Sequence, residues 1–236
     1  MRRRRILISV CLVLGFLVAV ALGLVALVKR EPAFYRQAEV AAGEPRVAKS
    51  RSALLQFSQL KNALMYDPEW QATLSADEIN AYFQEDFLKV GADDNLPDDF
   101  HAPRVQIGDG RIRIGVRYGS GLWSTILSVE LKAWLIPGES NNMIGVEVVG
   151  LRAGAMPLST STLLDYISQG ARRQGIDVTW YRNDGHPVAV MRSQADVARP
   201  TLLFERLDLA EGSVTLRGRL ADTVGVPVVK PVLRGP

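Results

Sequence analysis

Residues 104–118, RVQIGDGRIRIGVRY, decide the fold more than any other stretch of the chain. Apolar and polar residues alternate on both sides of Gly108-Asp109-Gly110, and this period of two around a glycine-rich turn predicts a β-hairpin. Two more alternating stretches, at 123–136 and 143–151, extend the pattern. Residues 104–151 are therefore predicted to form an antiparallel meander of about four strands.

Helices are predicted on both sides of this meander. Ser75-Ala-Asp-Glu78 is a capping-box pattern, which predicts a helix over residues 76–90. Apolar residues at three- and four-residue steps predict two further helices, over residues 50–66 and 159–174. Two hairpins close the chain. Because strands and helices do not alternate one by one, the predicted class is α+β.

The first thirty residues carry a membrane signal. Residues 6–28 contain no charged side chain, and as a helix this run spans about 35 Å, more than the roughly 30 Å of a bilayer's hydrocarbon core. The run exceeds the apolar part of a typical signal peptide, which favours a retained anchor over the alternative of a cleaved signal. Four arginines precede it and two basic residues follow it. We therefore expect the N-terminus in the cytoplasm and the body outside the cytoplasmic membrane.

The excess of positive charge belongs to the anchor and not to the rest of the chain. The sequence has 28 lysines and arginines against 25 acidic residues. Six of the basic residues precede residue 31, where no acidic residue occurs, so residues 31–236 carry 22 basic and 25 acidic side chains and a net charge of −3. A net-acidic body lacks the positive surface that phosphate backbones need, and a nucleic-acid partner is not expected.

Composition along the chain divides it into five segments. Pro32, Gly43 and Pro45 indicate a short stalk, and three late prolines indicate an extended tail. The predicted segments are a basic cytoplasmic region (1–5), a transmembrane anchor (6–28), a stalk (29–48), an extracytoplasmic α+β domain (49–222) and an extended C-terminal tail (223–236). The single cysteine lies in the anchor, which excludes an intramolecular disulfide.

Motifs for catalysis or metal binding are absent from the sequence. His101 and His186 fall at predicted strand or turn edges, and a zinc site needs three or four ligands. The acidic loop at 93–99 lacks the ligand spacing and turn glycine of a calcium loop, so a solvated loop is favoured over a metal site. Neither a nucleophile elbow nor a phosphate-binding loop occurs. We expect no enzyme activity, no metal and no cofactor.

Three short motifs, in their order after the anchor, carry a family resemblance. They are Asp77-Glu78-Ile79-Asn80 in the capped helix, Gly154-Ala-Met-Pro157-Leu158 before the later helix, and Leu207-Asp208-Leu209 before a turn and strand. Over residues 70–220 the chain resembles the YpmS-like extracytoplasmic proteins held by one N-terminal span, and more distantly the tubular lipid-binding (TULIP-like) proteins. The acidic loop after residue 92 departs from that pattern and resembles an insertion.

The resemblance implies a transmembrane helix followed by a curved antiparallel β-sheet covered by amphipathic helices. Such folds hold lipid tails in an apolar groove between sheet and helices and do not catalyse. A groove of this kind suits an acyl chain, while the alternative is that the same residues fill a closed core. The candidate lining residues are Ile79, Phe83 and Phe87 from the capped helix and Leu163, Leu164 and Ile167 from the later helix.

Two functions follow from these observations. The first is a membrane-anchored extracytoplasmic module that binds membrane lipid or another apolar ligand in the groove. The alternative is a non-catalytic structural or interaction subunit of an envelope complex, which would bind an envelope protein as its partner. An open apolar slot would favour the first function, and a filled core would favour the second.

Overall fold

A computed structural model describes residues 2–87, 99–136, 143–173, 177–192 and 202–220. These residues form five α-helices: α1 (Arg2–Lys29), α2 (Ala33–Gln37), α3 (Glu44–Tyr66), α4 (Ala76–Glu85) and α5 (Ser161–Arg173). A short 3-10 turn at Gly121–Trp123 joins two of the strands. Most of the predicted acidic loop, residues 93–98, and the predicted tail, residues 223–236, lie outside the described residues.

The strands of the described residues form two antiparallel sheets. They are β1 (Glu69–Ser75), β2 (Phe100–Gly108), β3 (Arg111–Tyr118), β4 (Thr125–Leu135), β5 (Met143–Ala153), β6 (Met156–Pro157), β7 (Asp177–Asn183), β8 (His186–Arg192), β9 (Leu202–Ala210) and β10 (Ser213–Leu220). The larger sheet has the order β2-β3-β4-β5-β8-β7, with β6 also paired to β5, and the smaller has the order β1-β10-β9. The predicted α+β class and the meander, which is β2 to β5, are confirmed.

The β2–β3 hairpin forms because its turn residues adopt a left-handed backbone conformation. Asp109 and Gly110 have φ angles of 55° and 67°, as the central residues of a type I′ turn require. The strands then pair with Val105 opposite Ile114, which places the apolar side chains of both strands on one face of the sheet.

The opposite face of the same strands is charged. Arg111, Arg113 and Arg117 alternate with the apolar residues of β3, and Arg113 lies opposite Glu130 of β4. Arg152 of β5 shares this face, by its register with β4. The larger sheet therefore separates an apolar face from a face rich in arginine.

The core lies where α4 meets the larger sheet and the β9–β10 hairpin. Buried Ala76, Val105 and Ile107 form its centre, and partly buried Ile79, Ile112, Leu209 and Val214 pack around them. The β9–β10 turn is hydrogen-bonded into this junction: the Gly212 amide donates to the Ile107 carbonyl at 2.9 Å, and the Gly212 carbonyl accepts from the Ala76 amide at 2.8 Å.

Asn80 of α4 pairs with the outer edge of β2. Its side-chain amide donates to the Val105 carbonyl at 2.7 Å, and its side-chain oxygen accepts from the Val105 amide at 2.8 Å. The side chain is 2% exposed. It therefore satisfies two backbone groups of β2, which is an edge strand of the larger sheet as far as the described residues show.

Helix α1 includes all the residues predicted as the anchor, 6–28. By length and composition it is a helix able to cross a membrane, and an 18-residue window within it has a mean hydropathy of 3.0 and no buried residue. An apolar helix that packs against no protein core is compatible with a single-pass membrane anchor.

Other boundaries differ from those predicted. Residues 29–48, predicted as a stalk, contain α2 and the first turn of α3, with Pro45 in the first turn of that helix, where proline is tolerated. α4 ends at Glu85 and not at residue 90. Strand β1 was not predicted, and it pairs with β10 near the other end of the chain.

Candidate functional site

The end of α1 is hydrogen-bonded directly to the larger sheet. Thr125 of β4 donates its hydroxyl hydrogen to the Val28 carbonyl at 2.6 Å, and the Ala155 amide donates to the Leu27 carbonyl at 2.8 Å. Both carbonyls belong to the last turn of the helix, and the Leu27 carbonyl also accepts a hydrogen bond from the Arg30 amide at 3.3 Å. We call this contact the anchor junction. It fixes the position of the sheet relative to the apolar helix.

Gly154 makes the anchor junction possible. Its φ is +59°, and a Cβ atom at this position would lie 2.2 Å from the Val28 carbonyl oxygen and 2.6 Å from that of Leu27. Only glycine allows the helix end and the β5–β6 turn to approach so closely. The Gly154–Leu158 motif, noted in the sequence, thus has a structural role at the anchor.

Helix α2 attaches the segment after the anchor to the charged face of the sheet. Tyr35 is fully buried, and its hydroxyl donates to the Ala102 carbonyl at 2.6 Å. Burial raises the pKa of this phenol, against the opposing charges of Arg104 and Arg117. The Arg104 guanidinium lies 4.5 Å from the centre of the Tyr35 ring, and Gly115 leaves room for the ring on β3.

A cleft of about 440 Å³ opens beside the anchor junction, between the α1–α2 connection and strands β3, β4 and β5. Arginines and two carboxylates supply its charged lining: Arg30, Glu31, Arg36, Arg113, Glu130 and Arg152. Gly150 and Gly154 contribute bare backbone to the wall. We call this cavity the junction cleft.

Glu130 is held ionised in the junction cleft. Partial burial alone would raise the pKa of its carboxyl group, but the hydrogen bond from Arg111 and the charges of Arg113 and Arg152 together lower it. Arg111 lies 2.7 Å and Arg113 3.6 Å from the same carboxylate oxygen. The carboxylate therefore neutralises charge that β3 brings to the cleft.

The other arginines that line the cleft form no ion pair among the described residues. Glu31 pairs with Arg117 at 3.2 Å. Within the described ranges, no ion pair involves Arg30, Arg36 or Arg152. With both carboxylates engaged by other arginines, the lining has a net positive charge.

Trp123 is exposed beside the anchor junction. Its side chain is 88% exposed, in the turn between β3 and β4. The adjoining Ser124 carbonyl accepts a hydrogen bond from the Lys29 ammonium at 3.3 Å, at the last residue of α1. Tryptophan is enriched at membrane–water interfaces, and this one lies next to the end of an apolar helix.

The groove residues predicted on the capped helix form part of two packed clusters, although Phe87 lies in a turn just beyond the end of α4. Ile79 packs against the core. Phe83 and Phe87 contact each other with ring centroids 5.4 Å apart, and Tyr82 contacts both. The Tyr82 ring in turn lies 5.6 Å from Phe57 of α3.

The α5 residues of the predicted groove lie elsewhere in the fold. Leu164 and Ile167 are partly buried, and the side chain of Leu163 lies outside what the structure describes. α5 packs along β7, where the Trp180 indole donates to the Ser168 hydroxyl at 2.7 Å. α4 packs along β2, and β2 and β7 are the two edges of the larger sheet. The structure therefore does not bring the six residues into one site.

A second, smaller cleft of about 360 Å³ lies between α3 and β1. Two buried polar atoms of its lining residues, Gln56 Oε1 and Trp70 Nε1, lack a hydrogen-bond partner among the described residues. Buried polar atoms in folded proteins are nearly always satisfied, so this cleft suits ordered water or a small polar molecule.

Metal-ligating side chains do not gather in the described ranges: no group of three His, Cys, Asp or Glu residues could hold an ion there. His101 Nδ1 lies 3.3 Å from the Asp99 carbonyl oxygen in an exposed position, and His186 begins β8 in register with Asn183.

The junction cleft is not among the sites predicted from the sequence, although the sequence contains one signal for it. Arg111, Arg113 and Arg117 alternate within residues 104–118, so they had to share one face of the predicted strand. That this face would meet the end of the anchor depends on contacts between distant parts of the chain, such as Thr125 with Val28.

Comparison of the chain with known protein families, with curated proteins and with solved structures finds no match.

Proposed function

We propose that this protein is a single-pass, membrane-anchored extracytoplasmic module that binds membrane lipid and does not catalyse a reaction. α1 crosses the cytoplasmic membrane with its arginine-rich end inside, following the excess of positive charge on that side. The sheet domain then lies on the outer surface. The proposal keeps lipid binding, as predicted from the sequence, but moves the lipid contact to the anchor junction. The reason is that the six predicted groove residues lie near opposite edges of the larger sheet.

One observation carries the proposal: the sheet is hydrogen-bonded to the last turn of α1 through Leu27 and Val28. Since residues 6–28 form the apolar run, this contact lies at its last residues, and the domain adjoins the bilayer without a spacer. Exposed Trp123 and the open junction cleft then face the headgroup region.

The resemblance to YpmS-like and TULIP-like proteins supports lipid as the ligand, and the curved sheet with a helix-covered groove remains part of that hypothesis. The alternative function, an interaction subunit of an envelope complex, would need a partner-binding surface. The cleft and Trp123 beside the anchor favour lipid over that alternative.

Lipid binding is tested by extracting the full chain in a mild detergent and measuring its mass under native conditions. We expect the chain to carry one or more lipid molecules after gentle activation. A single-span control protein of similar size, extracted in the same way, sets the background. Lipid retention no higher than in that control would rule out this function.

Orientation is tested separately with one engineered cysteine. In a Cys11→Ser background, Gln169→Cys places a thiol at an exposed position of α5. A membrane-impermeant maleimide added to intact spheroplasts should label it. Labelling only after lysis would place the domain in the cytoplasm and contradict the proposal.

A further inference from the structure

We propose that the junction cleft binds the phosphate group of an anionic phospholipid headgroup. This inference rests on the proposed function and names its ligand class. The arginines Arg30, Arg36 and Arg152 contact the phosphate, and Gly150, where a Cβ atom would meet nothing within 4 Å, leaves space for it.

Position along the membrane normal supports a headgroup as the ligand. Arg30 follows the end of the apolar run at Val28 by two residues and lies directly after the last residue of α1, so it is within about 7 Å of that end along the chain. A bilayer has roughly 5–7 Å of headgroup region on each side of its hydrocarbon core. The mouth of the cleft is therefore at the depth where lipid phosphates lie.

Charge supports an anionic ligand. Arg111 and Arg113 are engaged by Glu130, and Arg117 is engaged by Glu31. The carboxylate of Glu130 binds Arg111 and Arg113 directly, and the charge of Arg152 also helps to lower its pKa. Arg152 forms no ion pair with it, and neither do Arg30 and Arg36, so among the described residues these three guanidinium groups have no carboxylate within ion-pair distance. Guanidinium groups bind phosphate oxygens in pairs of hydrogen bonds, which suits a cleft lined by three such arginines.

The same charge selects among lipids. A phosphatidylcholine headgroup carries a quaternary ammonium beside its phosphate, and the net positive cleft repels that group. A phosphatidylglycerol headgroup carries only the negative charge. The cleft should therefore prefer phosphatidylglycerol to phosphatidylcholine of the same acyl chains, an effect of electrostatics near the membrane surface.

The experiment is a competition measured by native mass spectrometry on the full chain in detergent, with equimolar phosphatidylglycerol and phosphatidylcholine. We expect the wild-type chain to retain mainly phosphatidylglycerol. Arg36→Gln and Arg152→Gln should each reduce the preference by roughly threefold to fivefold, since each removes one charge near the lipid. Arg182→Gln, at an exposed position of β7 on the far sheet edge, is the matched control and should leave it unchanged.

A second variant tests the cavity and not the charge. A Cβ atom at Gly150 would contact nothing within 4 Å, so Gly150→Leu can be accommodated and fills part of the cleft. It should lower phosphatidylglycerol retention while every arginine remains.

A competition experiment distinguishes a lipid from a soluble phosphate ester. An excess of glycerol 1-phosphate, the headgroup without tails, should not displace the lipid. Displacement would identify a soluble phosphate ester as the ligand and overturn the lipid assignment.

The outcomes separate the two proposals. If the chain retains neither lipid, both the headgroup site and the proposed lipid-binding function are contradicted. A chain that retains both lipids equally, or whose preference is unaffected by Arg36→Gln, Arg152→Gln and Gly150→Leu, overturns the headgroup site alone. Thermal unfolding of each variant in the same detergent shows whether a loss of binding reflects a loss of fold.

Discussion

The hydroxyl group of Thr125 donates a hydrogen bond to the carbonyl oxygen of Val28 across 2.6 Å, so a β-strand partly caps the C-terminal end of an apolar helix. The two residues are 97 positions apart in the chain. With the Ala155–Leu27 hydrogen bond, this contact makes the anchor and the sheet one structural unit, and it can be tested by substitution.

Gly154→Ala should separate the anchor from the sheet. The new Cβ atom would overlap the Val28 carbonyl, and alanine disfavours the φ of +59° at this position. We expect a loss of roughly 2–4 kcal/mol of stability from strain and lost hydrogen bonds, seen as a lower unfolding temperature of the full chain in detergent. Gly150→Ala on the same strand, where nothing lies within 4 Å, is the control. Equal unfolding temperatures for the two variants would contradict the tight junction.

Asn80→Ala should destabilise the domain by roughly 2–4 kcal/mol, because it leaves both the amide and the carbonyl of buried Val105 without partners. Chemical unfolding measures the change. The control is Asp77→Ala on the same helix, which removes only the exposed ion pair with Lys49 and should cost less than about 1 kcal/mol. A cost for Asn80→Ala as small as that of the control would show that the edge pairing is unimportant.

Trp123 should lie in the membrane interface when the protein is reconstituted in lipid. Lipids brominated near the headgroup end of their acyl chains quench nearby tryptophan emission. We expect such quenching in the wild-type chain and its loss in Trp123→Phe, because the exposed ring lies beside the end of α1. Trp180→Phe, at the far sheet edge, should retain the quenching. If Trp123→Phe and Trp180→Phe are quenched equally, Trp123 does not contribute to the quenching and lies in water.

Glu78 should contribute to acid sensitivity. Burial tends to raise the pKa of its carboxyl group, but hydrogen bonds from Ser52, Ser75 and Gln56 outweigh this and lower it below 4.5. A group with a lowered pKa in the folded state stabilises the fold above its unfolded pKa, and this stability is lost as the pH falls through the folded value. The unfolding temperature should therefore drop as the pH is lowered below about 4.5.

Glu78→Gln should flatten this pH dependence, since glutamine does not titrate. Asp77→Asn, one residue earlier and largely exposed, should leave the slope as in the wild type. A slope unchanged by Glu78→Gln would mean that other carboxylates determine the acid limit, with Glu130 the first to test because its pKa is also lowered.

Local patterns predicted the parts of the fold that depend on neighbouring residues. The hairpin turn at Asp109-Gly110 and the capping box at Ser75 and Glu78 are both present, because each is formed by residues within a few positions of one another. Strand β1 was missed, although Trp70, Ala72 and Leu74 alternate within it. Its partner β10 lies more than 130 residues away, and no local signal indicates that pairing.

Helix α3 shows how packing can override a periodic pattern. Leu54 is one of the apolar residues whose spacing predicts a helix over residues 50–66, yet it is 39% exposed, whereas the residues buried on α3 are Ser50 and Ala53. Small side chains let α3 approach α4 closely, and Ser50 also donates a hydrogen bond to Asp86. Hydrophobicity alone could not show that a serine would face the interior.

The candidate site was predictable only in part. Five of the six groove residues lie on helices, as expected, whereas Phe87 lies in a turn two residues beyond the end of α4. Whether α4 and α5 face each other depends on the strand order, which places them near β2 and β7. The junction cleft requires the arginines of β3 and the end of α1 to meet. That meeting is set by tertiary contacts at Thr125 and Gly154, and not by any pattern within either segment.

The close contact at Gly154 would, in the proposed membrane topology, make the domain sensitive to bilayer thickness. The apolar run is about 35 Å long as a helix, and a helix longer than the hydrocarbon layer tilts to fit it. If α1 spans the membrane as proposed, the two hydrogen bonds that join the sheet to the helix end would make the domain follow that tilt. A thinner bilayer would then incline the domain and bring one side of it closer to the lipid surface.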